Sequence, residues 1–348
     1  MDAKFVLSKS VLVQQVKVLE DLGLKISYSY KTNRDVGRIL QELPECKDVD
    51  FSIHTKMEID DILDKSKIWF FCQAESEDDL GEILNEGVRN FVVDNETDLK
   101  RILSVVKKEN IKINLSLRMK FQEHRIGTGK YFVYGMSAGK VSEFILQMKD
   151  NEFIDKLGVH IHRKSQNTSE WDIVGDLKDS LSEEILNELS IVNLGGGLPA
   201  VYISSSLKVY NYIFSKLEEA RDWLAEKNIF CVIEPGRFIA APAVKLVVEV
   251  VQKYDNNLVV NTTIYNCALD SVLINTKMLV EGELGKDDEG EDYLIKGNSP
   301  TRDDIFRYRV RLSKNVDIGT KIVFLNAGAY CYATDFFGYK KLPLEIID

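Results

Sequence analysis

The chain has 348 residues, 45% hydrophobic and 29% charged, which is typical of a soluble globular protein of about two domains. Its 55 acidic and 45 basic side chains give a net charge of −10. This acidic surplus argues against nucleic acid as a main partner, because phosphate binding requires surplus lysine and arginine. No apolar run approaches the ~20 residues that span a bilayer, so the sequence predicts no membrane partner.

The first residues, Met1 to Lys4, lack the basic and then apolar pattern of a secretion signal. The cysteines are odd in number, dispersed and without the paired spacing of a zinc site: Cys46, Cys72, Cys231, Cys267 and Cys331. This pattern favours reduced thiols, a cytoplasmic location and no disulfide framework or structural metal.

Short runs of β-branched and aromatic residues alternate with amphipathic stretches over the first two thirds of the chain. The runs occupy residues 25–31, 49–54, 67–73, 91–94, 113–119, 157–162, 191–195 and 230–234. Strands that alternate with helices indicate a parallel sheet, and eight such units fit an α/β fold with a (β/α)8 barrel over residues 8–240. A doubly wound open sheet is the competing interpretation.

The pattern changes in residues 241–348, where strands joined by turns are predicted at 244–253, 258–266, 293–296, 306–312 and 321–326. This favours a second domain that is an antiparallel β-barrel or sandwich, to which residues 1–7 could also belong. Alternation in 306–312 (FRYRVRL) predicts Phe306, Tyr308, Val310 and Leu312 on one face and three arginines on the other. The charged segment 281–292 is predicted to be an exposed loop.

Polar residues end the barrel strands, and in this fold they build the active site. The set includes Lys31, His54, Arg118, His162, the glycine turn at 195–197, Glu234 and Arg237. A lysine can form a Schiff base, a glycine turn offers backbone N–H groups to a phosphate, and a carboxylate can hold a protonated pyridine nitrogen. Together these groups suit pyridoxal 5'-phosphate (PLP). His160 and His162 are expected to face opposite sides of their strand, so no metal site is predicted.

Five ordered motifs resemble those of PLP-dependent enzymes of fold type III, the ornithine, diaminopimelate and arginine decarboxylases with an alanine-racemase-like barrel. Residues 26–33 (ISYSYKTN) are similar to YAVKAN, and residues 158–166 (GVHIHRKSQ) align on GLHFHIGSQ. Residues 194–198 (LGGGL) resemble the GGGF turn, 234–237 (EPGR) are identical to the family motif, and 326–330 (NAGAY) match the final GAY motif.

The resemblance implies a decarboxylase of amino-acid or polyamine metabolism that acts through a Schiff base on Lys31. His162 would stack on the PLP ring and Glu234 would pair with its nitrogen. The phosphate would be held by Ser165, the backbone of Gly195, Gly196 and Gly197, Arg237 and Tyr330, with Arg118 close to the cofactor. The resemblance also implies a small-molecule amino-acid substrate and a homodimer with shared active sites.

The sequence departs from the family in residues 297–304 (GNSPTRDD), where Pro300 replaces the cysteine that serves as proton donor to Cα and Thr301 replaces an acid. Three interpretations stay open. The loop is shifted so that Arg302, Asp303 and Asp304 meet the substrate, Cys331 or Cys267 supplies the proton, or the chain binds PLP without this reaction.

Arg163 and Lys164 stand where the family has an apolar residue and glycine. With Arg302 they suggest a substrate that carries an extra carboxylate, while a charged loop on the barrel rim explains them equally well. The alternatives to a diamino-acid decarboxylase are an amino-acid racemase, which Glu234 disfavours, an inactive PLP-binding regulatory homologue, and a barrel hydrolase or aldolase that uses Lys31 directly.

Overall fold

The computed structural model describes residues 2–121, 134–203, 208–331 and 342–348. The first strand, β1 (Lys4–Ser8), lies in a second sheet, and the next eight strands close into a parallel barrel in which β9 pairs with β2. The barrel strands are β2 (Lys25–Ser29), β3 (Asp50–Ile53), β4 (Ile68–Cys72), β5 (Asn90–Val93), β6 (Ile113–Arg118), β7 (Ile154–His160), β8 (Ile191–Asn193) and β9 (Phe230–Ile233). The closed barrel confirms the predicted (β/α)8 architecture and excludes the open sheet.

Several of the helices that follow the barrel strands begin at a polar side-chain cap. Asn33 accepts the N–H of Val36 and Asn95 accepts the N–H of Asp98, which begins two of these helices. The helices are α1 (Lys9–Asp21), α2 (Arg34–Glu42), α3 (Lys56–Ile59), α4 (Glu77–Asn85), α5 (Glu96–Glu109), α6 (Ala138–Met148), α7 (Ile173–Ser180), α8 (Glu183–Asn187), α9 (Lys208–Glu226) and α10 (Arg237–Ala243).

The barrel strands are buried on both faces, as expected for parallel strands covered by helices. All five residues of β4 are buried, which explains its continuous apolar sequence, IWFFC. Across the described ranges, no helix combines the length and the apolar character that crossing a membrane would take.

A second, mostly antiparallel sheet follows the barrel. It contains β10 (Val244–Tyr254), β11 (Asn257–Val260), β12 (Leu279–Val280), β13 (Glu291–Lys296), β14 (Ile305–Leu312), β15 (Lys321–Leu325) and β16 (Leu344–Ile347). The first strand of the chain, β1, pairs antiparallel with β10 and parallel with β16, so residues 4–8 belong to this sheet. The division of the chain into domains at residues 240 and 241 stays a prediction.

The strand predicted at residues 258–266 is wrong in its second half. β11 ends at Val260, and the short helices α11 (Ile264–Cys267) and α12 (Leu269–Leu273) follow. Thr263 and Asn266 form a reciprocal capping box at the start of α11. These side-chain oxygens accept hydrogen bonds from backbone N–H groups of the first turn, which in a strand would bond to a neighbouring strand.

The predicted alternation in β14 is also only partly correct. Phe306, Val310 and Leu312 are buried, but Tyr308 is 61% exposed and Arg307 is buried. A register shift against β13 places an extra residue between Arg307 and Val310, and such a bulge reverses the faces locally. Arg307 pairs with Glu283 at 2.6 Å, so the segment 281–292, although mostly exposed as predicted, also anchors this buried arginine.

The second sheet contacts the barrel closely at Gly328. A Cβ atom at this position would overlap the carbonyl oxygen of Ala240 in α10, while the Gly328 carbonyl accepts a hydrogen bond from Asn33 at 2.9 Å. This contact holds the segment that carries Tyr330 against the turn that carries Lys31.

We expect Gly328→Ala to lower the free energy of unfolding by about 1–3 kcal/mol, because the added methyl group overpacks this junction. The matched control is Gly139→Ala in α6, where a Cβ would meet no atom within 4 Å. The control should be neutral or slightly stabilising, since alanine has a higher helix propensity than glycine. Urea unfolding of both variants gives the comparison, and equal stability would contradict a tight junction.

Candidate active site

The polar residues predicted at the strand ends lie at the carboxyl end of the barrel. Arg118 is the last residue of β6, His160 ends β7, and Glu234 directly follows β9. Lys31 lies in a short 3-10 turn, Tyr30–Thr32, that begins immediately after β2. The closed parallel barrel directs all these strand ends to one mouth.

Glu234 is the central charged group of this mouth, and its side chain is almost completely buried. Oε1 accepts hydrogen bonds from Ser52 at 2.9 Å and Asn193 at 2.8 Å, and Oε2 lies 3.1 Å from Nε2 of His160. Burial alone would raise the pKa of Glu234, but His160 and these hydrogen bonds lower it to about 2. The carboxylate is therefore ionised at neutral pH.

His160 and His162 lie on the same side of their strand, which corrects the expectation that they face opposite sides. Residues two apart in a strand share a face, and the two rings stack with centroids 6.3 Å apart. His162 accepts the backbone N–H of Gly196 at Nδ1, 3.2 Å away. Burial lowers the pKa of His162 to about 3, so the ring is neutral.

His160, His162 and Glu234 also have the composition of a metal site, because their ligand atoms lie within 4.8 Å of one another. However, Nε2 of His160 and Oε2 of Glu234 are bonded to each other, and Nδ1 of His162 is bonded to Gly196. These contacts occupy one ring nitrogen of each histidine and one carboxylate oxygen, and the expectation that the site holds no metal stays a prediction.

Lys31 projects into the barrel mouth and stays open to solvent. Its amine lies 3.3 Å from Nε2 of His54, the residue that follows β3. Although part of the Lys31 side chain is exposed, the protein groups around its amine lower its pKa, chiefly by displacing water from the amine, while Glu234 opposes this shift and Arg118 reinforces it. A lowered pKa favours the neutral amine that attacks a carbonyl group.

The glycine turn forms a tight backbone bend beside these side chains. Gly195 and Gly197 have positive φ angles of 64° and 109°, and a Cβ on Gly196 would lie 3.2 Å from the His162 ring. Glycine is needed here for both conformation and space. The N–H of Gly195 donates to Asn193 and that of Gly196 to His162, so of the three predicted phosphate donors only the Gly197 N–H meets no acceptor in the described part of the chain.

Arg237 lies beside this turn at the start of α10. It forms a two-point ion pair with Asp270 at 2.6 and 2.9 Å and donates to Ser165 and Tyr202. These bonds use four of the five N–H donors of a guanidinium group, leaving one available.

Further unused donors surround Arg237. Ser165 accepts from Arg237 and keeps its own hydroxyl proton, and Tyr330 accepts from Thr32 and keeps its phenol proton. The ring of Tyr330 lies 5.2 Å below the Arg237 guanidinium. Together with the Gly197 N–H, this donor set suits a phosphate group, so the residues fit the phosphate end of PLP. The predicted site roles of these residues, and of Arg118, stay predictions.

Arg163 does not face this site, which removes one reason to expect a substrate with an extra carboxylate. Its buried guanidinium pairs with Asp176 of α7 and lies 4.8 Å over the ring of Phe121. Its charge is thus balanced within the protein, while the neighbouring Lys164 is exposed.

Asp304 holds the loop at residues 297–304 against the start of α11. Both carboxylate oxygens of Asp304 accept backbone N–H groups, from Ile264 at 2.8 Å and Ser299 at 3.0 Å. Arg302 is 91% exposed and pairs with the exposed Asp303. The substrate contacts predicted for these three residues stay predictions.

Both alternative proton donors are buried thiols. Cys267 donates to the carbonyl oxygen of Thr263, and burial raises its pKa well above the ordinary range. Burial also raises the pKa of Cys331 to about 12. Both keep their protons at neutral pH.

Sequence reasoning missed several residues that shape the site: Ser52, Asn193, Tyr202 and Asp270. Asn193 carried a signal, since it ends β8, while His54 was recognised at a strand end but was given no role. Ser52 lies within β3, and Asp270 lies in a helix that was predicted as neither strand nor site. Their contacts with Glu234 and Arg237 exist only in the folded chain.

Comparison with known proteins gives a family and a set of similar folds. The family described as "Pyridoxal-dependent decarboxylase, pyridoxal binding domain" matches residues 9–241, more than half of the chain. No curated protein sequence matches the chain.

Three similar crystal structures illustrate the fold. Lysine/ornithine decarboxylase from Vibrio vulnificus, complexed with cadaverine, is 20% identical with a TM-score of 0.81, covering 99% of this chain and 94% of that one. Diaminopimelate decarboxylase from Helicobacter pylori, complexed with L-lysine, is 20% identical with a TM-score of 0.82, covering 100% and 92%. The arginine decarboxylase of Paramecium bursaria Chlorella virus, bound to agmatine, is 21% identical with a TM-score of 0.77, covering 100% and 96%.

The neutral state of His162 predicts how stability depends on pH. Because burial holds its pKa at about 3, below the value of 6.5 in the unfolded chain, His162 contributes stability above pH 6.5 that is lost as pH falls towards 3. Between pH 7 and pH 5 the unfolding free energy of the wild type should fall, and that of His162→Phe should fall by about 1 kcal/mol less. This figure allows for solvent screening of a half-buried ring. Urea unfolding at both pH values measures this, and identical drops would contradict a neutral His162.

Proposed function

This chain belongs to the pyridoxal-dependent decarboxylases, and we propose that it removes the α-carboxyl group of a diamino acid with PLP bound at the barrel mouth. The observation that carries this proposal is Glu234, a buried carboxylate that stays ionised within the mouth that also contains Lys31. Such a group would keep a proton on the pyridine nitrogen, which the reaction requires.

Each end of the cofactor has residues of suitable chemistry. Lys31 would hold the aldehyde carbon and His162 would stack on the ring. Ser165, Gly197, Arg237 and Tyr330 would bind the phosphate with their unused donors. Bound PLP supplies the electron sink that delocalises the electron pair left on Cα when carbon dioxide departs.

The residues of this chain supply positioning and charge. Glu234 is fixed by donors from three strands before any ligand binds, so no reorganisation is needed during the reaction. Arg118 is half-buried at the same mouth, and burial lowers its pKa without removing its charge. Its guanidinium would balance negative charge near the cofactor.

The substrate side chain would occupy a cavity of about 290 Å³ next to Lys31. Its lining combines the turn after β2 with α12 and includes Asn33, Arg34, Asp35, Leu269 and Leu273. Asp35 contributes a carboxylate to this lining, which suits a distal amine. The molecules bound in the similar structures, cadaverine, agmatine and L-lysine, are also basic.

The test is carbon dioxide release from L-lysine, L-ornithine, L-arginine and meso-diaminopimelate, measured with PLP present. We expect release from at least one of them and a loss of at least a thousandfold in Lys31→Ala, because no other group holds the aldehyde carbon. Racemisation without gas release would favour a racemase. PLP binding without either reaction would favour a regulatory homologue, and full activity of Lys31→Ala would end the lysine assignment.

We also propose that the active protein is a homodimer with shared active sites. The support is an exposed apolar patch beside the substrate cavity, formed by Val272, Leu273 and Ile274 at 46%, 70% and 49% exposure. Contiguous apolar surface of this kind is typical of protein interfaces.

We expect Leu273→Glu to shift the protein towards monomer in sedimentation velocity, because a buried charge at an interface costs binding free energy. The control is Ile318→Glu, which changes an exposed residue between β14 and β15 with 64% exposure. A wild-type monomer, or equal dimerisation of both variants, would refute this interface.

A further inference from the structure

We infer that His54 is a positioning residue for Lys31, holding the lysine amine by accepting one of its N–H groups whenever that amine is not bonded to the cofactor. The inference deepens the proposed function and rests on it for its role in catalysis. Its physical basis is the 3.3 Å contact between Nζ of Lys31 and Nε2 of His54.

The His54 ring is held in a fixed orientation. It stacks on Phe71 with centroids 4.7 Å apart and an angle of 15° between the planes. Its backbone N–H donates to Oε2 of Glu58 at 2.8 Å, and Thr55 donates to the same oxygen. Stacking from β4 and the cap of α3 thus fix both ring and backbone, so Nε2 presents its lone pair at a defined place.

The hydrogen bonding of the ring argues against a purely structural role. Nδ1 of His54 is buried and has no hydrogen-bond partner in the described part of the chain. Buried imidazoles that serve structure usually have their nitrogens bonded to protein groups. Here the polar contact of the ring is with the amine of Lys31.

The charges around the pair support a neutral imidazole as acceptor. The pKa of His54 is lowered to about 3, chiefly by burial and then by the positive charge of Lys31. The other charged or titratable groups that act on the pair lie on α3, β6, β7 and the turn after β9: Glu58, Arg118, His160 and Glu234. When Lys31 is in its ammonium form it has only N–H groups to donate, so Nε2 of the neutral ring is the acceptor of this contact.

This contact has a consequence for the catalytic cycle. Under the proposed function, the Lys31 amine would be free of the cofactor while substrate is bound, and it would be needed at the cofactor again afterwards. A free lysine side chain explores many rotamers, and a fixed acceptor limits that freedom. His54 therefore keeps the Lys31 amine within the barrel mouth while substrate is bound to the cofactor.

The test measures the pKa of Lys31 in the protein without added PLP, through the pH dependence of its acylation by acetic anhydride, quantified by mass spectrometry of the Lys31 peptide. His54→Phe preserves the stacking on Phe71 but cannot accept a hydrogen bond. We expect the Lys31 midpoint to fall by about one pH unit in this variant, because the ammonium form loses a charge-assisted hydrogen bond. His54→Gln retains an acceptor and should restore most of the shift.

Lys56→Gln is the matched control, since Lys56 lies on α3 next to His54 but pairs with Glu82 on the surface. It should leave the Lys31 midpoint unchanged. An unchanged midpoint in His54→Phe, or a Gln variant that behaves like the Phe variant, would overturn the inference.

A second measurement covers the case in which His54→Phe fails to fold. The chain has four histidines, so imidazole ¹⁵N signals of the wild-type protein can be assigned. At pH 7 we expect His54 to be neutral, with its proton on Nδ1 and with an Nε2 signal that moves in Lys31→Met. A proton on Nε2 would exclude the acceptor role. Because neither measurement uses catalytic turnover, the inference about His54 can fail while the proposed decarboxylase function stands, and the reverse.

Discussion

The site depends on one buried negative charge. The Glu234 carboxylate is removed from water, which for an unpaired ion costs several kcal/mol. Its stability therefore depends on the three donors that reach it from β3, β7 and β8. These strands are neighbours only in part, and the closure of the barrel brings them together. An open sheet with the same strand order would keep β7, β8 and β9 adjacent but would separate Ser52 in β3 from this charge.

The mouth has two chemically different halves. Around Lys31 and Glu234 the histidines are neutral, because burial and nearby cations lower the pKa values of His54 and His162 to about 3. Around Arg237 the side chains carry unused donors, and Asp270 offsets the arginine charge. Because of this separation, one half can accept protons and hydrogen bonds and the other half can bind an anion. A pyridine ring that carries a phosphate group requires both.

Local patterns predicted the barrel well because its strands are short runs rich in β-branched and aromatic residues, and because several of the helices between them begin at a polar side-chain cap. The same patterns failed where contacts distant in sequence decide the structure. The bulge in β14 depends on pairing with β13, and the charge of Arg163 is balanced by an ion pair with Asp176 in α7. His160 was misplaced through an error of periodicity. His54 was visible at a strand end, but its contact with Lys31 is a feature of the folded barrel.

The placement of β1 bears on the order of folding during synthesis. This strand lies between β10 and β16, so its hydrogen-bond partners are the residues 244–247 and 344–347. All eight barrel strands are translated before either partner. β1 must therefore wait, with its backbone groups solvated, until β10 and then β16 have been synthesised. Pairings so distant along the chain form slowly, because closing long loops costs conformational entropy.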